Sequence, residues 1–403
     1  MTQDNVKKQY TDWVYPEPIG DLSAAIENGY WEIGDPELYW PIFWPHRRSS
    51  NHLDILVAGC GSNQAAYYAY QNPSWNVLGI DISESSLANQ NRLKEKHGLK
   101  NLRLMNSDLC SVGSLGETYD FITSTGVLHH LQSPKEGLIE LKRVLRKDGV
   151  MNLMLYGKSL RLGVYVLQEF FKGIGLKQTP DDLEIVKSSL KLLPKDHIVN
   201  RYIDRVDDLG YDAGIVDTFL HEVDQAYWVK DIFGLLQEVG LEFLSWCDPG
   251  EYALENVISQ SNPLWGRLKN LSPEKAAHLH DLFMLDRGTH RFAIAHPEYI
   301  KKVQIDYESD EFFDLYVVPH RSTEVLSTAD FNQKKGARIK RQQFEYEIAY
   351  ELAEIMAIAN SDVSIRSAIE SLPLDLNIKK SYYQLARDGF QQLAKLGHIY
   401  ILK

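Results

Sequence analysis

ILVAGCGSNQ, residues 55–64, joins a short run of apolar residues to two glycines separated by one residue and a polar tail. An apolar run of that length bounded by glycine reads as a buried strand, and the SNQAAYYAYQ that follows carries apolar residues at helical spacing. Gly59 and Gly61 therefore sit at a strand-to-helix turn, where the lack of a side chain lets backbone approach a bound molecule closely. Alone, a Gly-x-Gly pair is equally well a tight turn, so its weight depends on what surrounds it.

The surroundings repeat the same alternation. NVLGID, NLRLMN, YDFITSTG and VMNLMLY read as further strands, while SESSLANQNRLKEKHG and SPKEGLIELKRVLRKDG read as helices stopped at Gly98 and Gly149. Strands alternating with helices predict βαβ units and a parallel sheet covered on both faces, which accounts for continuously apolar strands. Asp81 ends the second strand, 22 positions after Gly59, where a carboxylate can accept from both hydroxyls of a ribose. Asp108 follows the third, placed to accept from an adenine amino group, with Leu109 against the ring. Glycine, acid and acid then share the carboxyl edge of the sheet, the edge at which open α/β sheets bind ligands. A dinucleotide fold competes, but G-C-G-S-N lacks its spaced third glycine.

These segments resemble the class I S-adenosylmethionine-dependent methyltransferases: ILVAGCGS, LGID, NSDL, YDFITSTGVLHHL and LKRVLRKDGVMNLML. The likeness is strong over 53–157 and resumes near 227–247 and 290–297. It implies an α/β fold with a Rossmann-like seven-stranded sheet and S-adenosyl-L-methionine as cofactor. It further implies that Gly59, Cys60 and Gly61 face the methionine part, Asp81 and Ile82 the ribose, and Asp108 and Leu109 the adenine. Thr125 and Gly126 would lie near the methionine and the acceptor. Two departures stand out. Val57 occupies a position where the family commonly has an acid, and Asn63 replaces the third glycine of the loop. Asn tolerates positive φ, so the turn is expected to survive.

Methyl transfer from a sulfonium is an in-line displacement, so the acceptor must be aligned and water excluded. A hydroxyl or ammonium acceptor also needs its proton removed, a natural task for histidine. The candidates are His129 and His130, after the fourth strand, and His221 in DTFLHEVDQAYWV, where Asp217, His221 and Asp224 are helical neighbours. The competing readings are a helix cap or backbone pairing for the first two and a solvated helix surface or a linker into the core helix for the third. Tyr227 begins the next helix, to meet the acceptor or simply to pack. Tyr10, Trp13, Tyr15 and Trp31 either fold over the cofactor mouth or pack as ordinary core. His278 and His280 are two apart on a helix and diverge, so no metal site is expected.

The pattern divides the chain into an N-terminal aromatic, proline-rich arm or lid (1–50), a cofactor core (51–157), a helical cap insertion (158–226), the rest of the core sheet with a helical insertion (227–300) and a C-terminal accessory domain (301–403). In the last, EYEIAYELAEIMAIA, VSIRSAIESL and KSYYQLARDGFQQLAKLG read as helices before a strand in HIYILK, which suits an α-rich, winged-helix-like module. An acidic run (Asp306, Glu308, Asp310, Glu311, Asp314) and a basic run (Lys334, Lys335, Arg338, Lys340, Arg341) read as solvated faces that partly compensate each other. With 43 Lys+Arg against 55 Asp+Glu, the net charge of −12 counts against a nucleic acid partner. Three scattered cysteines make neither a disulfide framework nor a zinc site, and no apolar run is long enough for a membrane span. A cytoplasmic protein follows. The expected function is methyl transfer to an acceptor enclosed by cap and arm, a small molecule first and a protein side chain second, with a homodimer allowed through the accessory domain. The alternative class is a cofactor-binding regulatory or scaffold protein.

Overall fold

Five apolar runs of the first half become β1 (Asp54–Ala58), β2 (Asn76–Asp81), β3 (Leu102–Asn106), β4 (Tyr119–Thr125) and β5 (Leu145–Tyr156), paired in parallel. β6 (Glu242–Trp246) and β7 (Thr289–Ala295) complete a seven-stranded sheet of order β3-β2-β1-β4-β5-β7-β6, with β7 antiparallel to β5. This is the Rossmann-like arrangement the sequence predicts. The order reverses between β1 and β4, which opens a crevice at their carboxyl ends. The computed structural model describes residues 2–46 and 52–403. They fall into two units, the first within Met1–Leu38, Ser50–Leu244 and Asp281–Tyr299, the second within Tyr39–Ser49, Ser245–His280 and Ile300–Lys403.

Local sequence explains the helices that flank the sheet. The Ser83 hydroxyl accepts from the Ser86 amide to open Glu84–His97, and Gly98, at φ 64°, closes it. Ser133 and Pro134 open Pro134–Val144 in the same way. Gly149, in contrast, is not a helix stop: the helix ends at Val144 and Gly149 lies inside β5. A Cβ there would come within 3.0 Å of the Tyr119 and Asp120 carbonyl oxygens, so the glycine serves the close approach of β5 to β4. In the cap, the helix Lys158–Gly173 buries Leu160, Val164, Leu167 and Phe171 in a cluster with Val186 and Phe219.

In the second unit, helices Tyr350–Met356, Ile365–Ser371 and Leu376–Lys395 and a terminal strand, Ile399–Leu402, stand where the sequence pattern puts them. The terminal strand pairs antiparallel with Tyr316–Pro319. A further three-stranded sheet, Glu324–Ser327, Ala337–Arg341 and Phe344–Ile348, runs through the basic segment. EYEI, read as the start of a helix, thus belongs to the strand Phe344–Ile348, its Tyr346 and Ile348 more covered than the alternating Glu345 and Glu347. The charge runs do not offset each other. Arg366 binds Asp310 and Asp314, Arg387 binds Glu308, and within the basic run Arg338 pairs with Glu345. Arg341 is buried in a two-pronged pair with Asp248 at 2.7 and 2.9 Å. Among the described residues no helix is long and apolar enough to cross a membrane.

Candidate cofactor and acceptor site

The glycine turn after β1 is held by its neighbours. The Gly59 and Cys60 amides both donate to the Ile80 carbonyl at 2.9 Å, tying the loop to the end of β2. Gly59 adopts φ 77°, and a Cβ there would stand 2.3 Å from a Val127 methyl. Gly61 adopts φ 53°, where a Cβ would meet Pro16 at 2.9 Å. Asn63 does not take the left-handed conformation: its φ is −136° at the head of helix Gln64–Gln71. Its amide instead holds the N-terminal arm, accepting from Ile19 N at 2.9 Å and donating to the Glu17 carbonyl at 2.9 Å.

Asp81 ends β2 with one carboxylate oxygen accepting from the Gly61 amide and the other from the Ser83 amide, each at 2.8 Å. Burial pushes this carboxyl up, and the backbone donors of Ser83 and Gly61 oppose the shift. Ile82 follows directly. Asp108, after β3, accepts from Cys110 N at 2.9 Å, with Leu109 buried beside it. Thr125 closes β4, and Gly126, at φ 75°, donates to the Met154 carbonyl on β5. All nine candidate cofactor residues lie in the turns at the carboxyl ends of β1 to β4. The arm crosses this edge: the Ser62 hydroxyl donates to Pro16 O at 2.7 Å and the Ser83 hydroxyl to Tyr10 O at 2.9 Å. Trp13 donates to Gln178 O and the Tyr15 hydroxyl to Asp208, whereas Trp31 is half exposed.

The structure brings the three candidate histidines together. His129 and His130 lie in the turn after β4, with ring centroids 4.3 Å apart, and His130 stacks on His221 at 3.9 Å. His130 Nδ1 donates to the Val223 carbonyl at 2.9 Å, so the lone pair of the neutral ring resides on Nε2. His221 has the opposite tautomer, since its Nδ1 accepts from Val223 N at 3.0 Å and Nε2 carries the hydrogen. His129 Nδ1 accepts from Tyr156 N at 3.3 Å, its ring stacks on Tyr156, and its Nε2 is buried without a partner. Burial holds both His129 and His221 well below the usual histidine range, and neighbouring His130 adds to it.

Asp217 joins this cluster and Asp224 does not. Asp217 accepts from the Tyr10 and Tyr156 hydroxyls, each at 2.9 Å, and lies 4.0 Å from His221 Nε2. Asp224 pairs instead with buried Arg161 at 2.8 Å and accepts from Tyr165 and Gln168. The reason is chain geometry: the helix carrying Asp217 ends at Phe219, so the helical spacing that would align 221 with 224 is lost. Tyr227 lies at the strand edge, its amide donating to Tyr156 O at 2.9 Å, and its hydroxyl is buried without a partner. Sequence reasoning missed Tyr156 and Arg161. A single arginine among the apolar positions of LRLGVYVLQ was the available signal for the second.

Residues 56–153 match the family model of a methyltransferase domain. An uncharacterised protein of Synechococcus sp. is 26% identical over 64% of this chain and 63% of its own length. A tRNA U34 carboxymethyltransferase of Saccharophagus degradans is 31% identical over 32% of this chain and 40% of its own. The chain thus spans less than two thirds of either curated relative. Among solved structures, PKMT2 from Rickettsia typhi in complex with AdoHcy superposes with a TM-score of 0.61 at 13% identity, covering 92% of this chain and 75% of that one. The segment from β1 into β5 thus matches a methyltransferase domain, and the seven-stranded sheet shares its fold with a protein solved in complex with AdoHcy.

Proposed function

We propose that the protein transfers a methyl group from S-adenosylmethionine to an acceptor enclosed between the cap and the N-terminal arm, with His130 as the base. The observation that carries this reading is the lone pair of His130 Nε2, set by the Val223 carbonyl, beside a buried polar cluster at the carboxyl ends of β4 and β5. The residues present suit the cofactor. Two glycines in left-handed conformations give a turn that a Cβ would fill, and Asp81 offers a half-buried carboxylate with lone pairs beyond its two amide donors. Gly59, Cys60 and Gly61 would hold the methionine part, Asp81 and Ile82 the ribose, Asp108 and Leu109 the adenine, and Thr125 and Gly126 the end nearest the acceptor. When bound, the cofactor supplies an electrophilic methyl on a sulfonium.

The chain's own residues do the rest. His130 takes a proton at Nε2, His221 stacks on it and fixes its ring plane, and His129 packs against Tyr156 beneath them. The arm excludes water by spanning from the glycine turn to the cap. Enclosure favours a small molecule or a slender side chain over a folded surface. Calorimetry with AdoHcy tests the cofactor assignment, and turnover on an acceptor panel tests the chemistry. His130→Ala should keep AdoHcy affinity and lose turnover; unchanged turnover removes His130 from the mechanism.

A further inference from the structure

We infer that the acceptor is an amine that arrives protonated, held by Asp217 and deprotonated by His130. The inference rests on the methyl-transfer reading and names its substrate class. Asp217 is 3% exposed, and both its oxygens serve as acceptors, one for Tyr10 and one for Tyr156. A buried carboxylate is costly unless a positive charge or several donors compensate it. Among the described residues the only group within ion-pair range of Asp217 is His221 at 4.0 Å, and burial keeps that ring from charging. The buried guanidinium of Arg161 is committed to Asp224 at 2.8 Å and lies over the Tyr156 ring at 3.7 Å. The two buried carboxylates of the cap thus differ in kind: Asp224 has its cation within the chain, and Asp217 has phenols alone.

An ammonium supplies what is missing. Its N–H groups can donate to an Asp217 oxygen and to the lone pair of His130 Nε2; a carboxylate oxygen of Asp217 and a ring nitrogen each of His130 and His221 lie within 4.8 Å of one another. Transfer of one proton from the ammonium to His130 Nε2 leaves a neutral amine with its lone pair exposed and an imidazolium beside the Asp217 carboxylate, so charge is conserved. The place on Asp217 Oδ1 is filled here by the Tyr10 hydroxyl, on the N-terminal helix Thr2–Asp12. Tyr10 is therefore the donor that the ammonium displaces. A metal ion is the other cation to weigh, since His130, Asp217 and His221 are grouped closely enough to ligate one. The tautomers argue against it: His221 Nδ1 is taken by the Val223 amide and its Nε2 bears a hydrogen, which leaves two ligands where a buried site needs three or four.

The test is calorimetric titration of the full chain, with and without AdoHcy, using n-butylammonium against n-butanol and butyrate. Butylammonium should bind and the other two should not. Asp217→Asn should weaken the amine about ten- to a hundredfold, as loss of a charge-assisted hydrogen bond does. Tyr10→Phe, which removes the competing donor, should leave amine binding equal or tighter. Putrescine and a lysine-containing peptide, titrated in parallel, distinguish a free amine from a polypeptide side chain. Equal binding of butanol, absence of amine binding, or wild-type affinity in Asp217→Asn overturns the inference. So does zinc binding that His130→Ala and Asp217→Asn abolish without any amine binding. The wild-type comparison of amine with alcohol stands even if a variant misfolds. Failure of AdoHcy to bind counts separately against the methyl-transfer reading, because the amine titration is also run without it.

Discussion

Asp81→Asn separates ligand binding from folding. In the protein the two Asp81 oxygens accept from the Gly61 and Ser83 amides at 2.8 Å, yet burial still drives the carboxyl upward. Desolvation therefore outweighs what the two amides return, and removing the charge relieves the fold. Against this, the Asn side chain keeps one acceptor oxygen and turns an amino group toward the other amide, orphaning it at about 1–3 kcal/mol. The two effects are opposed, so the net stability change should be about 1 kcal/mol in either direction. Binding is different. If the carboxylate holds ribose hydroxyls, the loss of charge assistance should cost about 1.5–3 kcal/mol, a roughly ten- to hundredfold rise in the AdoHcy Kd. Denaturant unfolding without ligand and calorimetry with AdoHcy measure the two quantities on one variant. Wild-type affinity in a folded Asp81→Asn protein would refute the ribose assignment, and a loss of several kcal/mol in stability would refute the balance of terms.

Gly59→Ala should impair folding or AdoHcy binding more than Gly98→Ala, because its Cβ would sit 2.3 Å from Val127 whereas Gly98, also at positive φ, has open space around it; comparable melting and binding of the two variants would contradict this. Arg161→Met strands Asp224 in the cap and should destabilise by about 3–5 kcal/mol in denaturant unfolding, with partial recovery in Arg161→Met/Asp224→Leu, whereas a neutral single variant would remove the pair from the cap's support. In the second unit, burial and then Arg341 lower His320 to about 4, and the same two causes lower His398 to about 4, from the usual 6.5. The unfolded chain then binds more protons between those values, so stability is complete above about pH 6.5 and is lost as pH falls toward 4. Protection factors of the Ala337–Arg341 amides, taken relative to the intrinsic exchange rate at each pH, should fall over that interval, and a flat profile would argue against neutral burial. In the first unit, Asp281, raised to about 6, opposes His290, lowered to about 4, so the acid response there should be weaker.

What the sequence disclosed and what it hid follow one physical division. β1, β2 and β4 were legible because their central residues are buried on both faces and therefore apolar, the edge strand β3 because Leu102, Leu104 and Met105 still make a short apolar run, and Gly98 because a helix end needs a left-handed residue. The three strands within 324–348 were not, since only Ile339, Arg341 and Ile348 in them are buried, which leaves little apolar pattern, and the alternating EYEI runs directly into the helical AYELAEIM. Gly149 illustrates the same limit: its glycine answers to carbonyls on β4, a neighbour the local pattern does not name. The candidate site divides likewise. Asp217 and His221 could be paired from their spacing alone, but Tyr10 and Tyr156 reach Asp217 from 207 and 61 residues away.

The fates of Asp217 and Asp224 carry the functional argument furthest. In the sequence they are two acids flanking one histidine and look interchangeable. Folding gives Asp224 the guanidinium of Arg161, 63 residues upstream, and gives Asp217 none. Had both found arginines, the cap would be a closed structural network with no call for an external charge. Because one has not, the chain keeps a buried acceptor beside His130, whose Nδ1 is committed to the Val223 carbonyl and whose lone pair resides on Nε2. Replacing Asp217 with Leu gives the sharpest contrast. If the carboxylate is only structural, the fold should lose stability from the two orphaned phenols. If it serves an ammonium, stability should hold or rise as the uncompensated charge is removed, while amine binding disappears.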